Sequence, residues 1–527
     1  MRRRAITPIP LLFLVAALLA LSPAVPVAAA TGWTSAPTPI AVDGIGSFAD
    51  SWQNSYPWSM SMFNGDLYVA TGRVGCTSSV MSLMSGPMAG GGGIVLPGGL
   101  LPGNAAQPPQ LKDFLSADAR SVTDAAKYNY FNCVSRAEIW RLHCGTWRRV
   151  FRAPMIPSYL TGQGAPFLAA AITGFRGMAV MTDKYGVKAL YAAAGGFSFA
   201  AVQPLMMRST DGVTWTPVYS PVDPATKMPL MGRESRALFT HHGKLYVGVG
   251  YAGLGAPVAP GAWASDEPTN PLSWKKVIDF PTLDPTNSNV VSFASYFGRL
   301  YAGTENGTGF QVWRSRVVDP MGNGDWRRVV TGGAGMAVNE WAGTMKVFGG
   351  WLYVGSMHVP GISGSTEIKG FDLIRISPWD TWQLVIGNPR SAVTPMGTRM
   401  MLPISGRPSG MGNPLNLYCW SLAVKNGRLY LGTFDLTTML KLADPSGVRI
   451  AAMLGLTVDQ VQRLYAGAGG DLYSTWNGYS WTTRTLTGFG NQFDYGFRNM
   501  VPAPFRLYFG MSNPFYGCQI WQVKTLW

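Results

Sequence analysis

The stretch Phe297–Val330 reads F-G-R-L-Y-A-G-T-E-N-G-T-G-F-Q-V-W-R-S from 297 to 315 and ends G-D-W-R-R-V-V from 324 to 330. Three short runs rich in β-branched and aromatic residues stand out: Leu300–Gly303, Gln311–Ser315 and Trp326–Val330. Each is bounded by Gly, Asn or Asp, a pattern that predicts strands joined by turns. Val290–Tyr296, just upstream, supplies a fourth, inner strand. A lone four-stranded sheet of this kind cannot bury both apolar faces, so copies of it must stack.

Copies are present. Leu-Tyr recurs at Leu67-Tyr68, Leu190-Tyr191, Leu245-Tyr246, Leu300-Tyr301, Leu352-Tyr353, Leu429-Tyr430 and Leu507-Tyr508, with central intervals of 55, 55 and 52 residues. Most follow a turn such as Asn64-Gly65-Asp66 or Asn426-Gly427-Arg428. A second mark trails each pair, as in Ile139-Trp140-Arg141, Val312-Trp313-Arg314 and Ile520-Trp521-Gln522. A third is an outer-strand tryptophan at Trp147, Trp215, Trp274, Trp326, Trp382 and Trp481. The seventh copy runs to Trp527 without that strand, and Gly32-Trp33-Thr34 at the other end matches it. The expectation is an all-β chain: a seven-bladed β-propeller of four-stranded blades, closed by an N-terminal strand.

In such a ring the loops between strands two and three share a face with the links between blades. The long insertions fall there: Arg73–Arg136, Met357–Lys369, Asp435–Gly470 and Gly387–Leu417. One decorated face implies a binding side. Within Asp435–Gly470, Thr457–Tyr465 reads as a short helix.

Composition agrees with a turn-rich β protein: 64 Gly and 38 Pro with 13% charged residues exclude a disordered chain. Arg2, Arg3 and Arg4, the apolar run Leu11–Leu21 and Ala28-Ala29-Ala30 have the order of a secretory signal peptide. The expected division is a signal peptide over 1–30 and a single propeller domain over 31–527, with insertions at 73–136 and 435–470. The mature chain is expected to be secreted, extracellular or periplasmic, without a membrane anchor. Net charge is +15, or +12 without the signal arginines. Half of that excess lies in Arg148-Arg149, Lys275-Lys276 and Arg327-Arg328 on outer edge strands, where cations discourage edge pairing. Nucleic acid is therefore not expected as a partner.

The cysteines are Cys76, Cys133, Cys144, Cys419 and Cys518. Cys76 and Cys133, near the two ends of the first insertion, are the expected disulfide. Cys419–Cys518 is a weaker pairing, and Cys144 is expected to be a free, buried thiol. The four histidines are scattered without metal-ligand spacing, so neither metal nor cofactor is expected.

Ser209-Thr210-Asp211-Gly212-Val213-Thr214-Trp215 resembles the Asp-box of sialidase-like propellers, one residue short of the usual spacing. Ser474–Trp481 echoes it with Trp476 at the Asp position. In that superfamily the box is a structural turn, so the resemblance implies fold rather than activity.

Aligning the inner strands nine residues before each Leu-Tyr collects Trp58, Arg236, Val291, Gly343, Trp420 and Arg498, with Arg176 as the match in the second copy. Tyr56, Glu234, Glu340, Tyr418, Asp494 and Tyr495 stand just before them. These positions open on the decorated face. Converging guanidiniums bind carboxylate or sulfate through planar forks of donors, and aromatic rings stack on sugars. The candidate ligand-binding residues are Arg176, Arg236, Arg498, Trp58, Trp420, Tyr495, Glu234 and Glu340. A structural alternative has the arginines bridging neighbouring strands. The leading expectation is a cofactor-free binding module for a glycan or other anionic polymer. The alternatives are a sialidase-like glycoside hydrolase, which the resemblance implies would use an arginine triad and a tyrosine nucleophile, and an extracellular protein-interaction scaffold.

Overall fold

The computed structural model describes residues 33–46, 51–73, 136–157, 168–196, 203–225, 229–231, 235–250, 259–358, 360 and 367–525. The signal-peptide region, Cys76, Cys133 and Glu234 lie outside these residues. Among the described residues the chain is all-β apart from a few short helices, and no helix is long and apolar enough to cross a membrane.

Successive hairpins build antiparallel four-stranded units. The first comprises Tyr56–Phe63, Asp66–Gly72, Glu138–His143 and Thr146–Arg152. The fourth, the stretch quoted at the outset, comprises Asn287–Tyr296, Arg299–Asn306, Val312–Ser315 and Trp326–Val330. Inner strands of the others are Gly174–Thr182, Ser235–His241, Trp341–Phe348, Asn416–Lys425 and Gly496–Ala503. Several tight turns put φ > 0 at both central residues, as at Asn64-Gly65 (50° and 88°) and Asn426-Gly427 (50° and 67°). That geometry matches the right-handed twist of the strands, and Asn and Gly tolerate it best.

Each inner strand packs against the next, and Gly496–Ala503 packs back on Tyr56–Phe63, so the inner strands close a ring. Single bridges tie one unit's second strand to the next unit's inner strand: Gly72↔Gly174, Glu305↔Trp341, Met357↔Tyr418 and Phe434↔Gly496. The N-terminal segment joins the last unit. Its strand is Thr38–Ala41, paired with Gln519–Lys524, somewhat downstream of the expected Gly32–Thr34. Trp33 makes an isolated bridge to Thr525 and stacks on Tyr430 at 6.3 Å.

Strand alternation explains why Leu-Tyr is the repeating signature. Successive residues point to opposite faces. Leu300 therefore packs toward the third unit with Ile278 and Ala262, while Tyr301 packs toward the fifth with Leu352 and Ile374. All seven pairs divide in this way between the two flanking clusters, including Leu507 against the sixth unit and Tyr508 against the first. One dipeptide thus contributes to two interfaces. Each large side chain so buried stabilises by about 1.5–3 kcal/mol.

A polar latch also repeats. Asn54 donates to Glu138 at 2.9 Å and accepts from Thr71 at 3.1 Å. Asn339 donates to Asp372 at 2.8 Å and accepts from Ser356 at 3.1 Å. Asn416 donates to Asp471 at 2.7 Å, and Thr433 Oγ1 accepts from the Asp471 amide at 2.9 Å. Asn287, Thr304 and Gln311 form the version in the fourth unit. The Asn-to-Thr/Ser separation is 17 residues in all four, the length of one hairpin. These groups are buried and would be costly unpaired.

The outer cations are mostly paired. Arg149 and Arg152 meet Glu138, Lys276 meets Asp279, Arg327 meets Asp380 and Arg328 meets Asp284.

The Asp-box-like turns match more closely than their sequences do. Asp211 accepts the amides of Val213 and Thr214 at 2.8 and 2.7 Å, and these bonds hold its carboxyl well below the ordinary range. In the second turn Asn477 takes that place, accepting from Tyr479 and Ser480 at 2.9 Å each. Thr475, rather than Ser474, corresponds to Ser209: each hydroxyl accepts the glycine amide, from Gly478 at 2.9 Å and Gly212 at 2.8 Å. The alignment with Trp476 at the Asp position is therefore corrected by one residue, and Trp476 points to solvent.

Cys144 is exposed, not buried, because it occupies a hairpin tip; Cys419 and Cys518 are buried and unpaired with each other.

Candidate functional site

The mouth is the end of the ring where the inner strands begin. Three helices, Thr437–Ala443, Val448–Leu454 and Val458–Ala466, fill the sixth-unit insertion, one of them where the sequence predicts it. Thr457 and Gln460 form a reciprocal cap at the start of the last helix. Leu440, Ile450, Val461 and Tyr465 pack in one cluster with Tyr56, Trp58, Trp420 and Tyr495. The insertion is thus a cap seated on the aromatic rim.

Beneath the cap the aromatic side chains interlock. Trp420 stacks on Tyr495 at 5.9 Å with planes 26° apart, and Tyr56 meets Tyr495 edge-on at 6.2 Å. Tyr56 also meets Trp58 and Trp420, at 6.1 and 6.5 Å. Trp58 and Trp420 are 8% and 9% exposed, so their faces are mostly occupied.

The arginines occupy some of those faces. Arg176 lies over Trp58 with 4.3 Å from Cζ to the ring centroid, and Arg498 lies over Trp420 at 5.3 Å. Arg236 lies over Trp341 at 4.5 Å. That last pair joins the third unit to the fifth and passes over the fourth, so Arg236 extends across the opening. Cation–π contact fixes each guanidinium by one face. All three arginines remain partly accessible.

The electrostatics of the rim follow from burial. Burial, then the neighbouring charge of Arg236, brings the Arg498 pKa down to about 10. Burial raises the phenols of Tyr56, Tyr418 and Tyr495. A hydrogen bond between Tyr56 and Tyr495 accompanies this shift. Tyr418 is close enough to Arg236, Arg498 and Glu340 for each charge to act on it.

Glu340 is 2% exposed and its Oε1 lies 3.5 Å from Nδ1 of buried His358. Trp341, the partner of Arg236, follows it directly in the chain. Sequence alignment of the inner strands places Arg176, Arg236, Arg498, Trp58, Trp420, Tyr495 and Glu340 around this end, and the structure brings them there. It did not identify Trp341 or His358. A tryptophan two residues before the aligned Gly343, beginning an inner strand, was the available signal for the first.

Asp494 serves a different purpose. Its carboxyl oxygens accept from Asn513 at 3.0 Å and Trp521 at 3.2 Å in the latch of the last unit, and burial lifts its pKa to about 8. Burial likewise raises the neighbouring pair Asp435 and Asp471 behind the rim.

No family model matches the chain, and no curated protein matches it. Among solved structures it is similar to a puromycin-hydrolyzing peptidase of Mycobacterium tuberculosis, at 8% identity and TM-score 0.37, over 92% of this chain and 53% of that one. It is also similar to an exo-beta-1,3-galactanase of Phanerochaete chrysosporium, at 12% identity and TM-score 0.28, over 53% of this chain and 60% of that one. An alpha-L-arabinofuranosidase of Clostridium thermocellum matches at 15% identity and TM-score 0.27, over 50% of this chain and 84% of that one. At these scores the likenesses carry no functional argument.

Proposed function

We propose that the chain is a seven-bladed β-propeller, one ring over 31–527 closed by its N-terminal strand, that binds an anionic glycan at the capped mouth. The observation that carries this reading is the set of three arginine–tryptophan pairs converging on one end of the ring. Arg236 and Arg498 repel one another across the rim, and an anion between them relieves that repulsion. Each guanidinium lies with one face over a tryptophan, and the planar fork of a guanidinium matches a carboxylate or sulfate.

The hydrolase reading is less favoured. A tyrosine nucleophile needs an activating partner. Tyr495 instead bonds Tyr56, and burial raises its phenol. The test is isothermal titration with an oligogalacturonate and with its methyl ester. Binding is expected for the acid and not the ester. Arg236→Ala and Arg498→Ala should each lower affinity roughly 10- to 100-fold, as the loss of a charge-assisted hydrogen bond predicts. Equal binding of acid and ester, or affinity unchanged in both variants, refutes the proposal.

A further inference from the structure

Away from the mouth, a hairpin tip of the first unit and the strand beside it assemble a thiol, an imidazole and a carboxylate. Cys144 and Gly145 form the turn between Glu138–His143 and Thr146–Arg152, with φ of 48° and 81°. The fold asks only for residues tolerant of positive φ there, and the two-residue turns between first and second strands at 64–65 and 426–427 meet the same demand with Asn-Gly. A thiol is not needed for the turn. Cys144 Sγ lies 3.5 Å from His143 Nε2, and His143 Nδ1 lies 2.9 Å from Asp66 Oδ1.

The order of these groups sets their roles. An ionised carboxylate only accepts, so Nδ1 carries the imidazole proton and Nε2 presents its lone pair to the thiol. Asp66 is nearly buried, and Arg141 Nε holds its other oxygen, Oδ2, at 2.7 Å. The charged groups facing His143 are Asp66 and Arg141, the latter with Nη2 at 3.4 Å from Nδ1. Asp211 and Tyr68 act on Arg141 from behind. Arg141 thus fixes the carboxylate in the orientation that meets the ring. Nucleophile, base and orienting acid stand in line, within reach of solvent.

We propose that Cys144 is an exchange thiol that forms mixed disulfides with small-molecule disulfides, with His143 as its base and Asp66 as a positioning residue. The thiol proton passes to His143 Nε2. The thiolate attacks one sulfur of the small disulfide, a new S–S bond forms and the old one breaks. The released thiolate takes the proton from His143 and leaves as a free thiol. One disulfide is consumed and one formed, so no further oxidant is required.

The full-length protein is treated with the aromatic disulfide DTNB between pH 5.5 and 9. Release of thionitrobenzoate is timed, and the adduct is located by mass spectrometry of the peptide containing Cys144. Cys144→Ser should abolish the fast phase. At pH 6.5, His143→Gln should slow labelling of Cys144 at least tenfold, and Asp66→Asn severalfold. In concentrated urea the Cys144 rates of wild type and both slowed variants should converge, which separates activation from altered thiol content. His143 is 60% exposed, so its replacement leaves the fold intact. Two results overturn the proposal. One is equal labelling of Cys144 in wild type and His143→Gln at pH 6.5. The other is labelling no faster in the folded protein than in urea, following the profile of an ordinary thiol near pH 8.5.

Discussion

Gly212→Ala tests whether the Asp-box-like turn is an interface element. Gly212 has φ +77°, and an added Cβ would lie 2.7 Å from Cζ of Tyr68 and closer still to its hydroxyl. Tyr68 is the Leu-Tyr tyrosine of the preceding unit. Two costs follow. An alanine at positive φ costs about 1–2 kcal/mol, and forcing a methyl against packed atoms costs about 1–3 kcal/mol. Gly243 supplies the control: its φ is +73°, and an added Cβ there meets nothing within 4 Å. Gly243→Ala should therefore show only the first cost, and Gly212→Ala the sum, about 2–5 kcal/mol. Urea unfolding followed by tryptophan fluorescence measures both. Tyr68→Phe removes the nearest clashing atom, so Gly212→Ala in that background should recover part of the difference. If Gly212→Ala is no more destabilising than Gly243→Ala, or Tyr68→Phe gives no relief, the turn does not dock on the neighbouring unit.

Three further outcomes are expected. Asp494 holds its proton in the folded state up to about pH 8 but loses it near pH 4 when unfolded. Its contribution is full below pH 4 and falls as pH rises through about 8, by at most about 1.4 kcal/mol per pH unit; Asp494→Asn should flatten the decline in urea midpoint between pH 5 and 8. Asn416→Ala removes bonds to Asp471 at 2.7 Å and to the Gly410 carbonyl at 3.0 Å, and should cost about 2–4 kcal/mol by the same unfolding assay. Trp33→Ala removes a ring stacked on Tyr430 and touching Phe489 and Phe509; it should destabilise by about 3–5 kcal/mol and raise hydrogen exchange in Gln519–Lys524, and unchanged exchange there would count against N-terminal closure.

Periodicity carried most of the strand order. Leu-Tyr, the trailing Trp-Arg and the Asn-Gly turns are local chemistry, because alternation and turn geometry act over a few residues. The strands from Asn287 to Val330 accordingly lie close to where the quoted stretch places them. The helix at Thr457–Tyr465 was legible for the same reason, since its cap and apolar spacing are written along the chain. Other features depend on residues far apart. Trp33 meets Thr525 through ring closure. Arg236 finds Trp341 only because the third and fifth units face one opening, and no spacing rule relates those positions. The exposure of Cys144 follows from its place at a hairpin tip, while its alignment with His143 and Asp66 needs two neighbouring strands in register. The one-residue shift that puts Asn477 at the Asp position is a matter of which amides a side chain reaches, and letters matched in order do not encode that. Local pattern specifies which faces must be covered; packing of distant units specifies which side chains meet, because those contacts arise only when the ring closes.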